Sequence, residues 1–74
     1  MTKLRLLRMQ AGLSQRGLAE MLEVHQVTVD RIEGGWLTRP PKGVDQKLSE
    51  VFGDEWTWEA LMEDVPKPTP DGLL

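Results

Sequence analysis

The apolar residues of this chain recur at the spacing of helices rather than of strands. Leu4, Leu7 and Ala11 follow one another at intervals of three and four residues, which places them on one face of a helix. Thr2 is a residue type that caps helix starts, and Gly12 is one that ends helices. Since no run alternates apolar and polar residues over several positions, the pattern predicts an all-α protein.

Two further helical patterns lie close together between residues 12 and 35. Ser14 is suited to cap the first, whose predicted buried residues are Leu18, Ala19 and Leu22. Val29 and Ile32 share one face of the second, which Gly34-Gly35 ends. Because Ala19 is small, the pattern indicates that two helices approach each other closely at this point.

The rest of the chain predicts a loop followed by two more helices. The consecutive prolines Pro40 and Pro41 restrict the backbone before them to extended conformations. A fourth helix is predicted over about residues 43–52, where one stripe contains Val44, Leu48, Val51 and Phe52. Thr57 can cap a short fifth helix that runs through Met62.

The composition is that of one small domain with a short tail. With 74 residues and no cysteine, the chain relies on a single small core, without disulfides or thiolate metal ligands. Residues 65–74 contain three prolines at alternate positions and little apolar material. This composition predicts a disordered tail after a domain of residues 1–64.

Basic residues interrupt the apolar stretch at the N-terminus. Lys3, Arg5 and Arg8 lie where a signal peptide has an uncharged apolar core, and no run of the chain is long enough to span a membrane. We therefore expect a soluble, cytoplasmic protein that is complete from Met1 and has no membrane partner.

The net charge of −3 hides a division along the chain. Residues 1–43 carry seven bases and four acids, whereas residues 44–74 carry two bases and eight acids. The first part is therefore positive by 3 charges and the second negative by 6. Because salt screens charges beyond roughly 8–10 Å, a basic face for a polyanionic partner can coexist with an acidic C-terminal part.

A set of residues at fixed offsets accompanies these helices. It comprises Gly-Leu-Ser-Gln at 12–15, Leu-Ala at 18–19, Val24, Val29, Ile-Glu at 32–33, Gly35 and Thr-Arg-Pro-Pro at 38–41. With these residues the chain resembles the lambda-repressor-like helix-turn-helix domains of the phage repressor, Cro and Xre type, over about residues 3–62. The resemblance implies a fold of five short helices that binds DNA.

In such domains the second helix of the motif lies in the major groove of DNA. The resemblance places four residues of this chain at the base edges, namely Gln26, Val27, Thr28 and Arg31. Gln26 is the best candidate for readout, because its amide can pair with adenine N6 and N7. Val27 or Thr28 would present a methyl group to thymine, and Arg31 would reach either guanine or a phosphate.

The resemblance also implies contacts to the DNA backbone and an internal ion pair. The expected phosphate contacts lie at the start of the first motif helix and in the loop, at Ser14, Gln15, Arg16, Thr38, Arg39 and Lys42. Arg8 and Glu33 occupy positions where relatives often form a structural ion pair between the first and third helices.

Three residues depart from the family pattern. Glu23 occupies the turn position where the family usually has a glycine in a left-handed conformation, which disfavours other residues. His25 replaces the usual Ser or Thr cap, so we expect the readout helix to begin less firmly. Gly17 lies inside the first motif helix, where glycine lowers stability relative to alanine.

The tryptophans predict packing and self-association. For Trp36 we favour packing on the domain over stacking on a DNA sugar. The fifth helix has more apolar surface than a core of this size needs. This surplus predicts homodimer contacts at Trp56, Trp58, Leu61 and Met62. Plain core packing of these residues is an equal alternative. The acids Glu59, Glu63 and Asp64 are expected to form a solvated face.

Together these features predict a sequence-specific transcriptional regulator, repressor-like or Cro-like, that binds a pseudo-palindromic operator in double-stranded DNA as a homodimer. The alternative is a protein-interaction module or antitoxin-type accessory factor on the same fold, whose acidic C-terminal part binds a protein partner. No cofactor or metal is implied, since His25 is the one histidine and a surface or capping role suits it best. An enzyme has little support, because the sequence lacks a nucleophile–base pattern and a glycine-rich phosphate loop.

Overall fold

A computed structural model describes residues 1–66 of the chain, which form five α-helices. In chain order these are α1 (Lys3–Gln10), α2 (Gln15–Leu22), α3 (Gln26–Glu33), α4 (Val44–Phe52) and α5 (Trp58–Leu61). No strand forms in the described part of the chain, so the all-α prediction with five helices is confirmed. Of the predicted disordered tail, all but its first two residues lies outside the described residues.

Hydroxyl side chains cap three of the five helices, as the sequence predicts. Thr2 Oγ1 accepts a hydrogen bond from the Arg5 amide at 3.4 Å, which satisfies one of the unpaired donors in the first turn of α1. Ser14 Oγ serves α2 through the Gly17 amide at 2.9 Å. In α5 the cap is Thr57, so this four-residue helix has a defined start despite its length.

The core forms around α2, which packs against both α3 and α4, while α5 packs against α1. Its buried apolar residues are Leu4, Leu18, Ala19, Leu22, Val29, Ile32, Val44, Leu48, Trp58 and Leu61. The helix faces predicted from apolar spacing are therefore largely the buried faces, although Ala11, predicted on the apolar face of the first helix, is exposed at the end of α1. Val51 and Phe52, from the stripe predicted for the fourth helix, lie half-buried at the edge of this core.

Backbone pairing between residues 1–3 and residues 63–65 holds α5 against α1. The Lys3 amide donates to the Glu63 carbonyl at 2.8 Å, and the Val65 amide donates to the Met1 carbonyl at 2.7 Å. The Met1 ammonium group bonds Asp64 Oδ1 at 3.1 Å and the Val65 carbonyl at 3.0 Å. The paired structure thus includes Val65, one residue past the predicted end of the domain.

Two of the four residues predicted for dimer contacts belong to the core instead. Trp58 is 8% exposed and Leu61 is 0% exposed. The indole N–H of Trp58 donates to the Thr38 carbonyl at 3.2 Å, which fixes the loop after α3 onto α5. Their burial favours core packing, the alternative that the sequence left equally open, because α5 covers α1 and the loop.

The other two, Trp56 and Met62, are half-buried at the edge of the core. The ammonium group of Lys3 lies 5.4 Å from the centroid of the Trp56 ring, within the range of a cation–π interaction. Both side chains keep part of their surface exposed, so a dimer contact through them stays a prediction.

A buried ion pair joins α1 to α3. Arg8 Nε donates to Glu33 Oε2 at 2.6 Å, and Arg8 Nη2 donates to Glu33 Oε1 at 3.2 Å. The side chains are only 10% and 2% exposed. Arg8 Nη1 also donates to the Leu13 carbonyl at 2.7 Å, and Thr2 Oγ1 donates to the Glu33 carbonyl at 3.1 Å. The pair thus fixes the end of α3 to both α1 and the loop that leads into α2.

We expect Arg8→Ala to lower the free energy of unfolding by about 3–5 kcal/mol, because it leaves the carboxylate of Glu33 buried without its cation. Urea denaturation followed by circular dichroism measures this loss. The control is the double variant Arg8→Met with Glu33→Leu, which removes both charges and should lose less stability than Arg8→Ala alone. A single variant that is as stable as the parent would contradict this role of the pair.

Candidate nucleic-acid interface

A short turn joins α2 to α3 and sets the angle between them. Glu23 ends α2 in the left-handed conformation, with φ 58° and ψ 43°, and it is the one described residue other than glycine with a positive φ. The Val24 amide donates to the Ala19 carbonyl at 3.0 Å, which closes the last turn of α2. The left-handed turn expected at Glu23 is thus observed, with the conformational cost that a non-glycine residue carries there.

An ion pair that the spacing of the sequence does not predict joins Glu23 to α4. Glu23 Oε2 lies 2.6 Å from Lys47 Nζ on α4. The hydrogen bond and the positive charge of Lys47 lower the pKa of the Glu23 carboxyl, and the same contact raises the pKa of the Lys47 ammonium. Glutamate at position 23 thus carries a conformational cost that glycine would not, but its carboxylate links the turn to α4.

The helix that follows begins without a side-chain cap. His25 has the extended backbone of an N-cap, with φ −72° and ψ 150°, but its side chain makes no capping hydrogen bond. Ser14 at the start of α2 does make one. The amides of Gln26 and Val27 are therefore left for solvent or a ligand, whereas the Thr28 amide donates to the His25 carbonyl at 2.9 Å. This agrees with the expectation that α3 begins less firmly than a Ser- or Thr-capped helix.

The two faces of α3 differ in character. Val29 and Ile32 are buried against the core on one face. On the other, Gln26 and Arg31 are exposed, and Val27 is 58% exposed. Thr28, the fourth predicted readout residue, is half-buried. The predicted readout residues therefore share one short helix, and three of them present their side chains to solvent.

A shallow depression between α2 and α3 is lined by Gln15, Gln26, Val27 and Asp30. Gln15 Nε2 donates to Asp30 Oδ1 at 3.3 Å and to Glu33 Oε1 at 3.1 Å. The side-chain amide of Gln15 is thus engaged within the protein. A phosphate contact by Gln15 therefore has to use its backbone amide, and this contact remains a proposal. Asp30 was absent from the predicted interface, although its spacing of four residues from Gln26 places both on one helix face.

The remaining predicted phosphate contacts lie in two places. At the start of α2, Ser14 is exposed with its hydroxyl oxygen engaged by Gly17, while Arg16 is exposed and lies 3.7 Å from Glu20. In the loop after α3, the exposed residues are Thr38, Arg39 and Lys42. Both places therefore offer accessible basic side chains.

Acidic side chains lie close to part of the loop. Thr38 and Arg39 line a groove that also contains Asp45, Asp54 and Glu59 from the C-terminal part of the chain. These carboxylates oppose a phosphate at the same spot, because like charges repel. Lys42 does not line this groove, so the basic part of the loop is only partly offset by acids.

Trp36 does not pack on the domain, contrary to the prediction. Its side chain is 80% exposed, the most among the large apolar side chains of the described residues. The left-handed turn at Gly35, with φ 77°, follows the end of α3, and the Trp36 amide donates to the Arg31 carbonyl at 3.0 Å. The indole ring lies over Gly34, where an added Cβ would come within 2.8 Å of Trp36 Cδ1. The turn thus directs the ring outward beside the end of α3.

Other kinds of site find no support in the described part of the chain. Residues 1–66 contain no group of three or more His, Cys, Asp or Glu side chains arranged to hold a metal ion. None of the helices described there is long and apolar enough to cross a membrane.

The family model of the helix-turn-helix domain matches residues 2–53, which include α1 to α4 completely. The chain belongs to this helix-turn-helix family. It is also 39% identical over 71 residues to a protein of Pyrobaculum aerophilum that is provisionally named an HTH-type transcriptional regulatory protein. The match covers 96% of this chain but only 28% of that relative, so the chain spans less than a third of the relative's length. No solved structure matches the chain.

The pair of Glu23 and Lys47 predicts a defined pH dependence of stability. The lowered pKa of Glu23 adds stability that is present above its usual value of 4.5 and is lost as the pH falls through the lowered value. The raised pKa of Lys47 adds stability that is present below 10.5 and is lost as the pH rises through the raised value. We therefore expect the full contribution of the pair between these limits.

A double-mutant cycle of Glu23→Gln and Lys47→Gln, measured by thermal unfolding, tests this dependence, because Gln keeps the left-handed backbone cost at position 23. The coupling between the two sites should be present at neutral pH, vanish in strong acid and weaken with salt. Coupling that is absent at neutral pH, or unchanged in strong acid, would show that the pair does not stabilise the turn.

Proposed function

We propose that this domain is a sequence-specific DNA-binding regulator of transcription that places α3 in the major groove. The observation that carries the proposal is the two-faced character of α3, which buries Val29 and Ile32 against the core and exposes Gln26, Val27 and Arg31. Membership of the helix-turn-helix family and the name of the Pyrobaculum relative support the same function.

The dimensions and chemistry of α3 suit the major groove. An α-helix with its side chains is about 10–12 Å across, close to the width of the groove in B-DNA, and α3 has eight residues to lie in it. Gln26 offers a donor and an acceptor that match adenine, and the Val27 methyl groups match the thymine methyl. Arg31, one turn further along, reaches a guanine or a phosphate. These residues contact the nucleobases, whereas the residues that contact phosphates position the domain on the DNA.

Affinity in this proposal comes largely from phosphates. The exposed bases Arg16 and Lys42 lie on either side of α3 in the chain, and Arg39 adds to them where the neighbouring acids allow. Because few bases are available, we expect the logarithm of affinity to fall only shallowly with the logarithm of salt concentration for a monomer. Tight binding then needs two copies.

We infer that two copies bind a pseudo-palindromic operator, in the manner of repressors and Cro-like proteins, with half-sites roughly 34 Å apart. The partial exposure of Trp56 and Met62 supports a self-association surface next to α5. Trp58 and Leu61 contribute indirectly, by fixing α5 in place.

A second candidate function is a protein-interaction module on the same fold. It is favoured by the groove that Asp45, Asp54 and Glu59 line, because three carboxylates in one groove suit a basic partner surface. In that case the acidic part of the domain, rather than α3, would carry the interaction.

Selection of bound sequences from a random duplex pool tests which function holds. For the regulator we expect an enriched inverted repeat, and we expect Gln26→Ala and Arg31→Ala to weaken binding to it by about 5- to 150-fold each, the equivalent of roughly 1–3 kcal/mol per base contact. Gln46→Ala on α4 and Arg5→Ala on α1 are matched controls at exposed positions and should bind nearly as the parent does. A pool that enriches nothing would favour the interaction module.

A further inference from the structure

Asp30 is the one acidic side chain on the exposed face of α3. It follows Gln26 by four residues and Val27 by three, so the three side chains are neighbours on the helix surface. All three line the depression between α2 and α3. A carboxylate on a helix face that enters the major groove weakens binding unless it has a partner on the DNA, because the phosphates of the DNA repel it.

The protein holds this carboxylate in place through a series of hydrogen bonds. Arg8 fixes Glu33 in the core, Glu33 Oε1 accepts from Gln15 Nε2 at 3.1 Å, and the same nitrogen donates to Asp30 Oδ1 at 3.3 Å. The two hydrogens of the Gln15 amide are thus enough to serve both carboxylates. Asp30 Oδ2 accepts no hydrogen bond from the part of the chain that the structure describes, so it remains available as an acceptor.

Base chemistry narrows what this oxygen can accept from. In the major groove the donors on base edges are the amino groups of cytosine N4 and adenine N6. Adenine presents its N7 acceptor beside N6, and a carboxylate oxygen close to that acceptor is repelled. Cytosine presents N4 without an acceptor next to it on the same base, so it suits a group that only accepts.

We propose that Asp30 reads the cytosine of a C·G pair close to the pair that Gln26 reads, and that Gln15 is its positioning residue. The inference rests on the proposed function, because it requires α3 to lie in the major groove. It assigns the domain a base preference at one position of each half-site. It also gives the acidic residue a second effect, which is to disfavour sequences that lack this cytosine.

The test measures binding of wild type and Asp30→Ala to the selected operator and to duplexes in which each base pair is replaced in turn, at two salt concentrations. Wild type should prefer C·G at one position of each half-site by about 5- to 150-fold, and Asp30→Ala should lose that preference alone. Gln15→Ala should reduce the preference at the same position and leave the other positions unchanged, which a loss of stability alone would not do. Glu63→Ala, which removes an exposed charge far along the chain, is the control and should keep every preference.

Two outcomes would overturn the inference while the proposed function stands. In one, Asp30→Ala keeps every base preference of the wild type. In the other, it tightens binding to all duplexes equally with a steeper dependence on salt, which would mean that Asp30 only repels phosphates. If wild type itself enriches no sequence, the proposed function fails, and the inference fails with it.

Discussion

The buried pair of Arg8 and Glu33 is the interaction on which the rest of the structure depends. Neither charge can remain buried alone, so α1 and α3 must meet wherever this fold forms. The same carboxylate accepts from Gln15 at the start of α2, and the same guanidinium donates to the Leu13 carbonyl. One ion pair therefore positions the three helices that present the outer face of α3, and it links the core to Asp30 on the surface.

The turn between α2 and α3 shows how a costly residue is retained. Glycine would adopt the left-handed conformation at position 23 more easily, but glycine has no carboxylate to bind Lys47. The ion pair adds a tie from the turn to α4, which otherwise contacts α2 through apolar side chains. The angle of the helix pair is thus held from the core side by Ala19 and from the surface side by this pair.

Local signals predict what local physics determines. Apolar spacing and capping residues gave the helices and their buried faces, because α2 and its neighbours form by short-range rules. The burial and the partners of side chains that depend on contacts distant in the chain were not predicted. The sequence around Trp58 and Trp36 does not distinguish a buried from an exposed tryptophan. Trp58 is buried and donates to the Thr38 carbonyl, whereas the turn at Gly35 directs Trp36 into solvent. Glu23 ends α2 and Lys47 lies on α4, far apart in the chain, so helical spacing does not predict that they form a pair.

The proposed function requires the outer face of α3 to be the DNA-binding face of the domain. Amide chemical shifts measured by NMR, as the selected operator duplex is added to isotopically labelled protein, locate the contact directly. We expect the largest changes at Gln15, at residues 25–31 and in the basic loop at residues 38–42. Changes centred on residues 45–59, with α3 unaffected, would contradict this expectation and assign binding to the acidic part of the domain.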